Sequence, residues 1–537
     1  MIQENVISTI RYLAALVGCV VLWPWLGNSP GGSDSVIVGV PAVALTVLIL
    51  FDLFIHLHSR SFYRAIPGMV AIANILLSFL WALDTYIVIA ALITIFTCIL
   101  DAFTAVLDRV RKGAPFLVFL LFLVPILLGA FVLSFPRCHS VGTALTATES
   151  LFTAISAVTV TGLSVIDVGA RLSQEGQWFL LSLIQLGGLG MVSLFAFFAL
   201  VLGNGLGLSQ GRAIRESLAG LSSSELRQLL GTICISTITI EVLGAALLYF
   251  GSGSSLSVQS ALFHSVSAFC NAGFTLNPDS LESWDLSSKA IMAILIVVGG
   301  IGFPVIHEFQ RRFLRKDSVR FSLQTKLILT VSAVLLVGGS GLLLLTGAGA
   351  ESWFWSITAR TAGFSTDATS GLPMAATLVL MVLMVIGASP GSTGGGVKTT
   401  TLAVLFLALR SEISGSRSVV AWKRSIPDTV VRSAAVLTIL AAILWFLLVV
   451  VLLLVEATAL QSGRFTFLDL VFEVTSALGT VGLSRDVTGH LSDAGTWVIE
   501  CAMILGRLGP LAVIITLASL SPSPLRGERP VGKVMLG

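Results

Sequence analysis

Charge is what this sequence has least of. Only 11% of its 537 residues are Asp, Glu, Lys or Arg, where a soluble domain carries about 25%. With 55% hydrophobic residues and a mean hydropathy of +0.98, the chain has too little polar surface to face water. A soluble globular fold is excluded, and lipid must be the main solvent. Cysteine and histidine are also sparse, at six each. Cys19, Cys98, Cys138, Cys234, Cys270 and Cys501 fall mostly in apolar stretches, with no CxxC pair and no metal-ligand spacing to His. They read as small buried hydrophobes, and neither a metal nor any other cofactor is expected on the chain. No HExxH or Gly-x-Ser-x-Gly elbow is present, and the pair His307-Glu308 sits at the inner end of a helix beside Arg311 and Arg312. An enzyme is therefore not expected, nor is a nucleic-acid partner.

Long apolar runs are what the sequence has in their place. About 20 apolar residues cross the hydrocarbon as a helix. Candidate spans are 7–26, 36–56, 65–83, 85–107, 115–135, 178–202, 233–250, 290–306, 327–346, 436–455 and 497–520, with a further apolar region, 373–409, interrupted by Gly387 to Gly396. The first span lacks a basic flank and a cleavage site and reads as a retained anchor. Cationic loops fall on one side when the N-terminus is placed inside. They hold Arg60 and Arg64; Arg109, Arg111 and Lys112; Arg212, Arg215 and Arg227; Arg311, Arg312, Arg315 and Lys316; Arg410, Arg417, Lys423 and Arg424. Both termini are thus expected in the cytoplasm of a multi-pass protein of the cell membrane.

Four segments on the outer side of the later spans repeat one another. Each has Phe, three residues, Ser or Thr, Ala, a short gap and Gly: Phe152, Ser156, Ala157 and Gly162; Phe263, Ser267, Ala268 and Gly273; Phe354, Thr358, Ala359 and Gly363; Phe472, Ser476, Ala477 and Gly482. Leu163, Phe274, Phe364 or Leu483 follows the glycine. Each segment is too short to cross the bilayer, so a helix–re-entrant loop–helix unit is expected four times. Non-helical backbone at membrane depth survives only where protein buries it or it lines a water-filled cavity. Four such strands on one axis would stack carbonyl oxygens able to replace a cation's water shell. The candidate ion-coordinating residues are each glycine and the residue before it: Thr161 and Gly162, Ala272 and Gly273, Ala362 and Gly363, Val481 and Gly482.

A second repeat follows the first. Gly187-Gly188-Leu189-Gly190, Gly299-Gly300-Ile301-Gly302 and Gly506-Arg507-Leu508-Gly509 occupy equivalent places, and the third unit carries Gly387 to Gly396 there. That stretch, rich in Gly with Ser389, Pro390, Ser392 and Thr393, cannot stay helical. Arg507 needs a partner at this depth, and freed carbonyls of the stretch are natural acceptors. A gate is expected from Gly391, Gly394, Gly395, Gly396, Lys398 and Arg507. The run from Gly391 to Thr399 imitates a phosphate-binding loop, but Val397 stands where the Walker pattern needs Lys and an apolar helix precedes it, so nucleotide binding is not expected there.

These residues resemble the Trk/Ktr/HKT superfamily of potassium transporters. The resemblance runs from about Pro115 to Leu520 and is carried by Thr159 to Leu163, Cys270 to Phe274, Arg360 to Phe364, Thr480 to Leu483, Ser389 to Thr400 and Gly506 to Gly509. It implies an all-α membrane fold, with four helix–re-entrant P-loop–helix repeats around a central pore. It also implies potassium uptake, a homodimer and a cytoplasmic nucleotide-binding regulatory subunit. By the same resemblance Gly162, Gly273, Gly363 and Gly482 are filter glycines, and Gly387 to Gly396 is a gating loop latched to Arg507. Sodium-selective plant relatives tend to carry Ser at the first filter position, so Gly162 favours potassium. Four spans before the resemblance (1–113) would precede a pore domain (114–537) with units 114–207, 228–312, 324–410 and 430–522. An ion-coupled secondary transporter of another small solute, or of sodium, is the alternative; such transporters use inverted halves, whereas these four units share one orientation.

Asp167, Asp279, Asp367 and Asp486 follow the filter glycines by four to six residues. They read equally as a cation-concentrating outer ring and as helix caps. Glu473 and Arg360, inside the re-entrant segments, are expected to brace the filter from behind. Lys398 is expected to repel cations when the loop closes or to snorkel to the inner interface.

Overall fold

Long membrane-length helices alternate with short capped ones along the chain. The computed structural model describes residues 114–202, 223–251, 256–314, 321–416 and 418–520. The four spans expected within 1–113, and most of the cationic loop residues named above, lie outside the described residues.

Four units follow in order. The first comprises α1 (Ala114–Leu133), α2 (Ala147–Thr159) and α3 (Gln174–Leu202). The second has α4 (Ser223–Gly251), α5 (Val258–Phe269), α6 (Leu286–Ile301) and α7 (Phe303–Phe309). The third has α8 (Leu323–Leu345), α9 (Ser352–Thr358), α10 (Met374–Val385) and α11 (Thr399–Ile413). A hairpin, β1 (Val419–Ala421) and β2 (Arg424–Ile426), leads into α12 (Asp428–Val455), α13 (Phe467–Gly479) and α14 (Asp493–Leu520). Among the described residues, α8 and α12 are each long and apolar enough to cross a membrane alone.

Three of the four short helices, α2, α5 and α13, begin where side chains satisfy their free amides, whereas α9 has no side-chain cap. Thr146 and Glu149 form a capping box on α2, Thr466 and Asp469 form one on α13, and Ser257 accepts from Ser260 N on α5. Their apolar faces are anchored by Phe152, Phe263, Phe354 and Phe472, each at most 1% exposed. These are the four phenylalanines of the sequence pattern. They pin each short helix among longer ones, held in a membrane protein by close packing of the ring rather than by its removal from water.

The structure departs from the sequence reading in the span expected over 290–306. It is two helices, α6 and α7, bent by 97°. Gly302, at φ +100°, makes the corner, and Pro304 sits in the first turn of α7. Glycine reaches this conformation without a Cβ clash, and a proline at that place needs no amide partner. In the region 373–409, α10 and α11 flank the glycine-rich interruption. In the fourth unit α14 kinks at Gly509, φ +74°. The departures from helix therefore involve the second, third and fourth units, while α3 runs unbroken past Gly187 and Gly188.

Candidate ion site

Four return strands leave the C-termini of α2, α5, α9 and α13 and meet. A Cβ built on Gly162 would lie 2.4 Å from Ala272 O; on Gly273, 2.9 Å from Ala362 O; on Gly363, 2.6 Å from Val481 O; on Gly482, 2.2 Å from Thr161 O. The sequence of contacts closes on itself, so the glycines form one ring of four, each edge-on to a carbonyl of the next unit. All four hold positive φ, from +69° to +94°. They are partly exposed, while Thr161, Ala272, Ala362 and Val481 beside them are buried. No side chain fits at the centre of this ring.

Two positions before each glycine, a non-glycine residue also has positive φ: Val160 (55°), Asn271 (57°), Thr361 (71°) and Thr480 (49°). The left-handed conformation costs a non-glycine roughly 1–2 kcal/mol. It recurs four times here because the chain must turn sharply out of a helix and bring consecutive carbonyls to one side.

The Ser or Thr of the repeat supplies the brace. Gly162 N and Gly482 N donate to Ser156 Oγ and Ser476 Oγ, both at 3.1 Å. Ser267 Oγ and Thr358 Oγ1 instead donate to Phe274 O (2.8 Å) and Phe364 O (2.6 Å). One hydroxyl thus fixes the strand from either side of the glycine. The third copy, one residue shorter, closes with Ala362 N on Thr358 O at 3.0 Å, whereas Thr161 N, Ala272 N and Val481 N reach back one residue further, to Ser156 O, Ser267 O and Ser476 O. Removing the first brace, Ser156→Ala, leaves the Gly162 amide without its acceptor, a loss of about 1–3 kcal/mol. Thermal unfolding in detergent should shift several degrees lower for Ser156→Ala, with a smaller shift for Ser182→Ala on α3, whose hydroxyl bonds only within its own helix.

The glycine-rich loop, 386–398, lies directly beneath. Cβ atoms built on Gly394 and Gly395 would fall 2.0 Å from Thr361 Oγ1 and 2.1 Å from Thr480 Oγ1. Ser389 N donates to Gly300 O (3.1 Å), and Phe303 N donates to Gly391 O (2.9 Å), so the α6–α7 corner grips one end of the loop. Thr393 Oγ1 donates to Phe269 O at 3.3 Å. Arg507, 3% exposed, donates to Thr393 O, and its other terminal nitrogen donates to Gly187 O at 2.8 Å. Arg507 from the fourth unit therefore joins the loop of the third to α3 of the first. Gly391 and Gly396 hold positive φ. Lys398 does not snorkel: its ammonium donates to Gly394 O (2.7 Å) and Gly395 O (3.4 Å), bracing the loop it terminates.

On the outer side three of the four aspartates accept hydrogen bonds through their side chains. Asp167 accepts from Ala170 N (3.1 Å) as the cap of a short helix, Val168–Arg171. Asp367 accepts from Ala368 N, and Asp486 accepts from Ser370 Oγ (3.2 Å). Asp279, Asp367 and Asp486 are exposed. Behind the ring, Glu473 accepts from Ser484 Oγ (2.9 Å) and Thr488 Oγ1, and Arg360 donates to Ser332 Oγ (3.0 Å) on α8. A residue not singled out in the sequence, Arg485, joins the third and fourth units here. It pairs with Asp469 at 2.7 Å and donates to Thr369 O and Ser370 O.

Comparison with known proteins places this arrangement. A family model described as a cation transport protein, TrkH, matches residues 127–340 and 323–526. The chain belongs to the Trk/Ktr superfamily. It is 34% identical to the Ktr system potassium uptake protein B of Vibrio alginolyticus, over 80% of this chain and 96% of that one. It is 32% identical to the potassium/sodium uptake protein NtpJ of Enterococcus hirae, over 78% of this chain and 95% of that one. The crystal structure of the potassium transporter TrkH from Vibrio parahaemolyticus shares the fold, with a TM-score of 0.61 at 18% identity, covering 90% of this chain and 97% of that one. As a Trk/Ktr chain the protein is a membrane transport protein of the cell membrane, not an enzyme.

Proposed function

We propose that this Trk/Ktr chain takes up potassium through one pore whose selectivity filter is the ring at Gly162, Gly273, Gly363 and Gly482. The closed contact between each glycine and the carbonyl of its neighbour carries the reading, because stacked carbonyls without side chains can stand in for an ion's hydration shell. The C-termini of α2, α5, α9 and α13 end three to five residues before the ring, and helix C-termini favour a cation. The buried hydroxyls of Thr361 and Thr480 have no hydrogen-bond partner among the described residues and are available as further ligands. The names of the relatives, potassium uptake and potassium/sodium uptake, agree with a monovalent cation.

Units 114–207, 228–312, 324–410 and 430–522 then act as four walls, with residues 1–113 as additional membrane helices. The loop at Gly391, Gly394, Gly395 and Gly396, closed by Lys398 and held by Arg507, is the gate under the filter. Asp167, Asp279, Asp367 and Asp486 draw cations to the outer mouth in addition to their local bonds. Both termini lie in the cytoplasm, where the membrane potential drives inward flux by about 2.3 kcal/mol per charge per 100 mV. A homodimer and a separate cytoplasmic nucleotide-binding regulatory subunit complete the system, and no cofactor beyond the transported ion is required on this chain.

Growth rescue tests this. In cells lacking their own potassium uptake, expression of the full chain should restore growth at limiting potassium and support rubidium uptake in excess of sodium. Sodium uptake without potassium or rubidium uptake would overturn the assignment of the ion.

A further inference from the structure

Between the third and fourth units the structure contains a cavity of about 570 Å³, within the ~300–1,000 Å³ range of small-molecule sites. Its walls are α10, α12, the C-terminal end of α13, and α14 as far as its kink at Gly509. Gly396, Val397 and Lys398, the end of the glycine-rich loop, form part of the same lining.

Its chemistry is apolar. Trp445 Nε1 donates to Thr475 Oγ1 (2.9 Å), Thr438 Oγ1 donates to Ala434 O (2.9 Å), and the Lys398 ammonium is spent on the loop carbonyls. These polar atoms are satisfied within the protein and ask no hydrogen bond of an occupant, leaving Thr401, at the start of α11, as the other hydroxyl-bearing residue of the lining. A cation or ordered water gains nothing there, because a buried water needs two to four polar partners. Val382, 61% exposed, and Val385, 44% exposed, line the cavity and also face outward. In a membrane protein that outward medium is hydrocarbon.

We infer that this cavity binds an acyl chain of a membrane phospholipid, which enters between α10 and α12 and rests against the end of the glycine-rich loop. The opening onto the lipid-facing surface selects a tail over any aqueous solute. Burial from water drives lipid tails into proteins from solution, but a tail already in hydrocarbon gains only from packing. Retention therefore depends on the fit of the walls, and filling them should displace the chain.

The full chain, reconstituted in phosphatidylcholine vesicles with one brominated acyl chain, provides the test. The Trp445 signal, taken as the difference between the protein and its Trp445→Phe variant, should lose most of its intensity relative to unbrominated vesicles. Ala441→Phe, which places a ring in the cavity, should restore that signal; Thr438→Phe serves if the first variant does not fold. Trp445 that is not quenched in the unaltered protein, because residues 1–113 or a second copy covers it, overturns the site. So does equal quenching with and without the added ring. The effect on the gate rests on the function proposed above and is read separately. Ion flux in the same vesicles should change in Ala441→Phe, and unchanged flux with restored Trp445 intensity would refute the coupling while supporting the lipid site.

Discussion

Gly162→Ser lowers the potassium-to-sodium flux ratio by about an order of magnitude. The added Cβ would stand 2.4 Å from Ala272 O and 2.9 Å from Gly273 Cα, both backbone atoms that cannot swing aside, and the backbone there has φ +92°. The left-handed conformation alone costs a non-glycine about 1–2 kcal/mol, and 1.4 kcal/mol is a factor of ten. The ring relieves the clash by opening, and a widened ring of carbonyls discriminates less between ions of different size. Paired rubidium and sodium flux measurements in vesicles read this directly. An unchanged ratio would remove Gly162 from the filter. Gly142→Ser, at a glycine with open space around it, is the matched control.

Arg507→Ala raises basal flux about tenfold or more. Two hydrogen bonds from a charged donor are lost, to Thr393 O and to Gly187 O, each contributing about 1.5–3 kcal/mol. The loop keeps its bonds to the α6–α7 corner, Ser389 N to Gly300 O and Phe303 N to Gly391 O, so it is loosened at one end and not unfolded. Arg507→Lys, able to reach a single carbonyl, should fall between the two. If flux drops while the protein elutes as a monodisperse species with unaltered potassium preference, Arg507 is a structural clamp and not a latch.

The repeat was legible because it is chemical. Phenylalanine anchors, a brace hydroxyl and a terminal glycine are each dictated by local contact, so four copies keep a shared spelling. The link between Arg507 and the loop could likewise be anticipated, since a guanidinium at that depth requires acceptors and the glycine stretch frees carbonyls. What remained hidden depends on neighbours. Val160, Asn271, Thr361 and Thr480 share no one side chain, yet all adopt positive φ, because the ring imposes the conformation on whichever residue stands there. The bend at Gly302 hid inside an apolar run, although Gly302 and Pro304 two residues apart were the available signal. The partners of Lys398 were not legible, because its acceptors, Gly394 O and Gly395 O, exist only once the loop has folded back on itself.

Four inequivalent copies on one polypeptide have a genetic consequence. In a ring assembled from identical subunits, one codon change strikes every quadrant together. Here Ser156, Ser267, Thr358 and Ser476 hold their strands by two kinds of bond, and each is encoded once. A single nucleotide substitution therefore perturbs one quadrant and leaves three intact, so ion preference can drift in small inherited steps rather than fail outright.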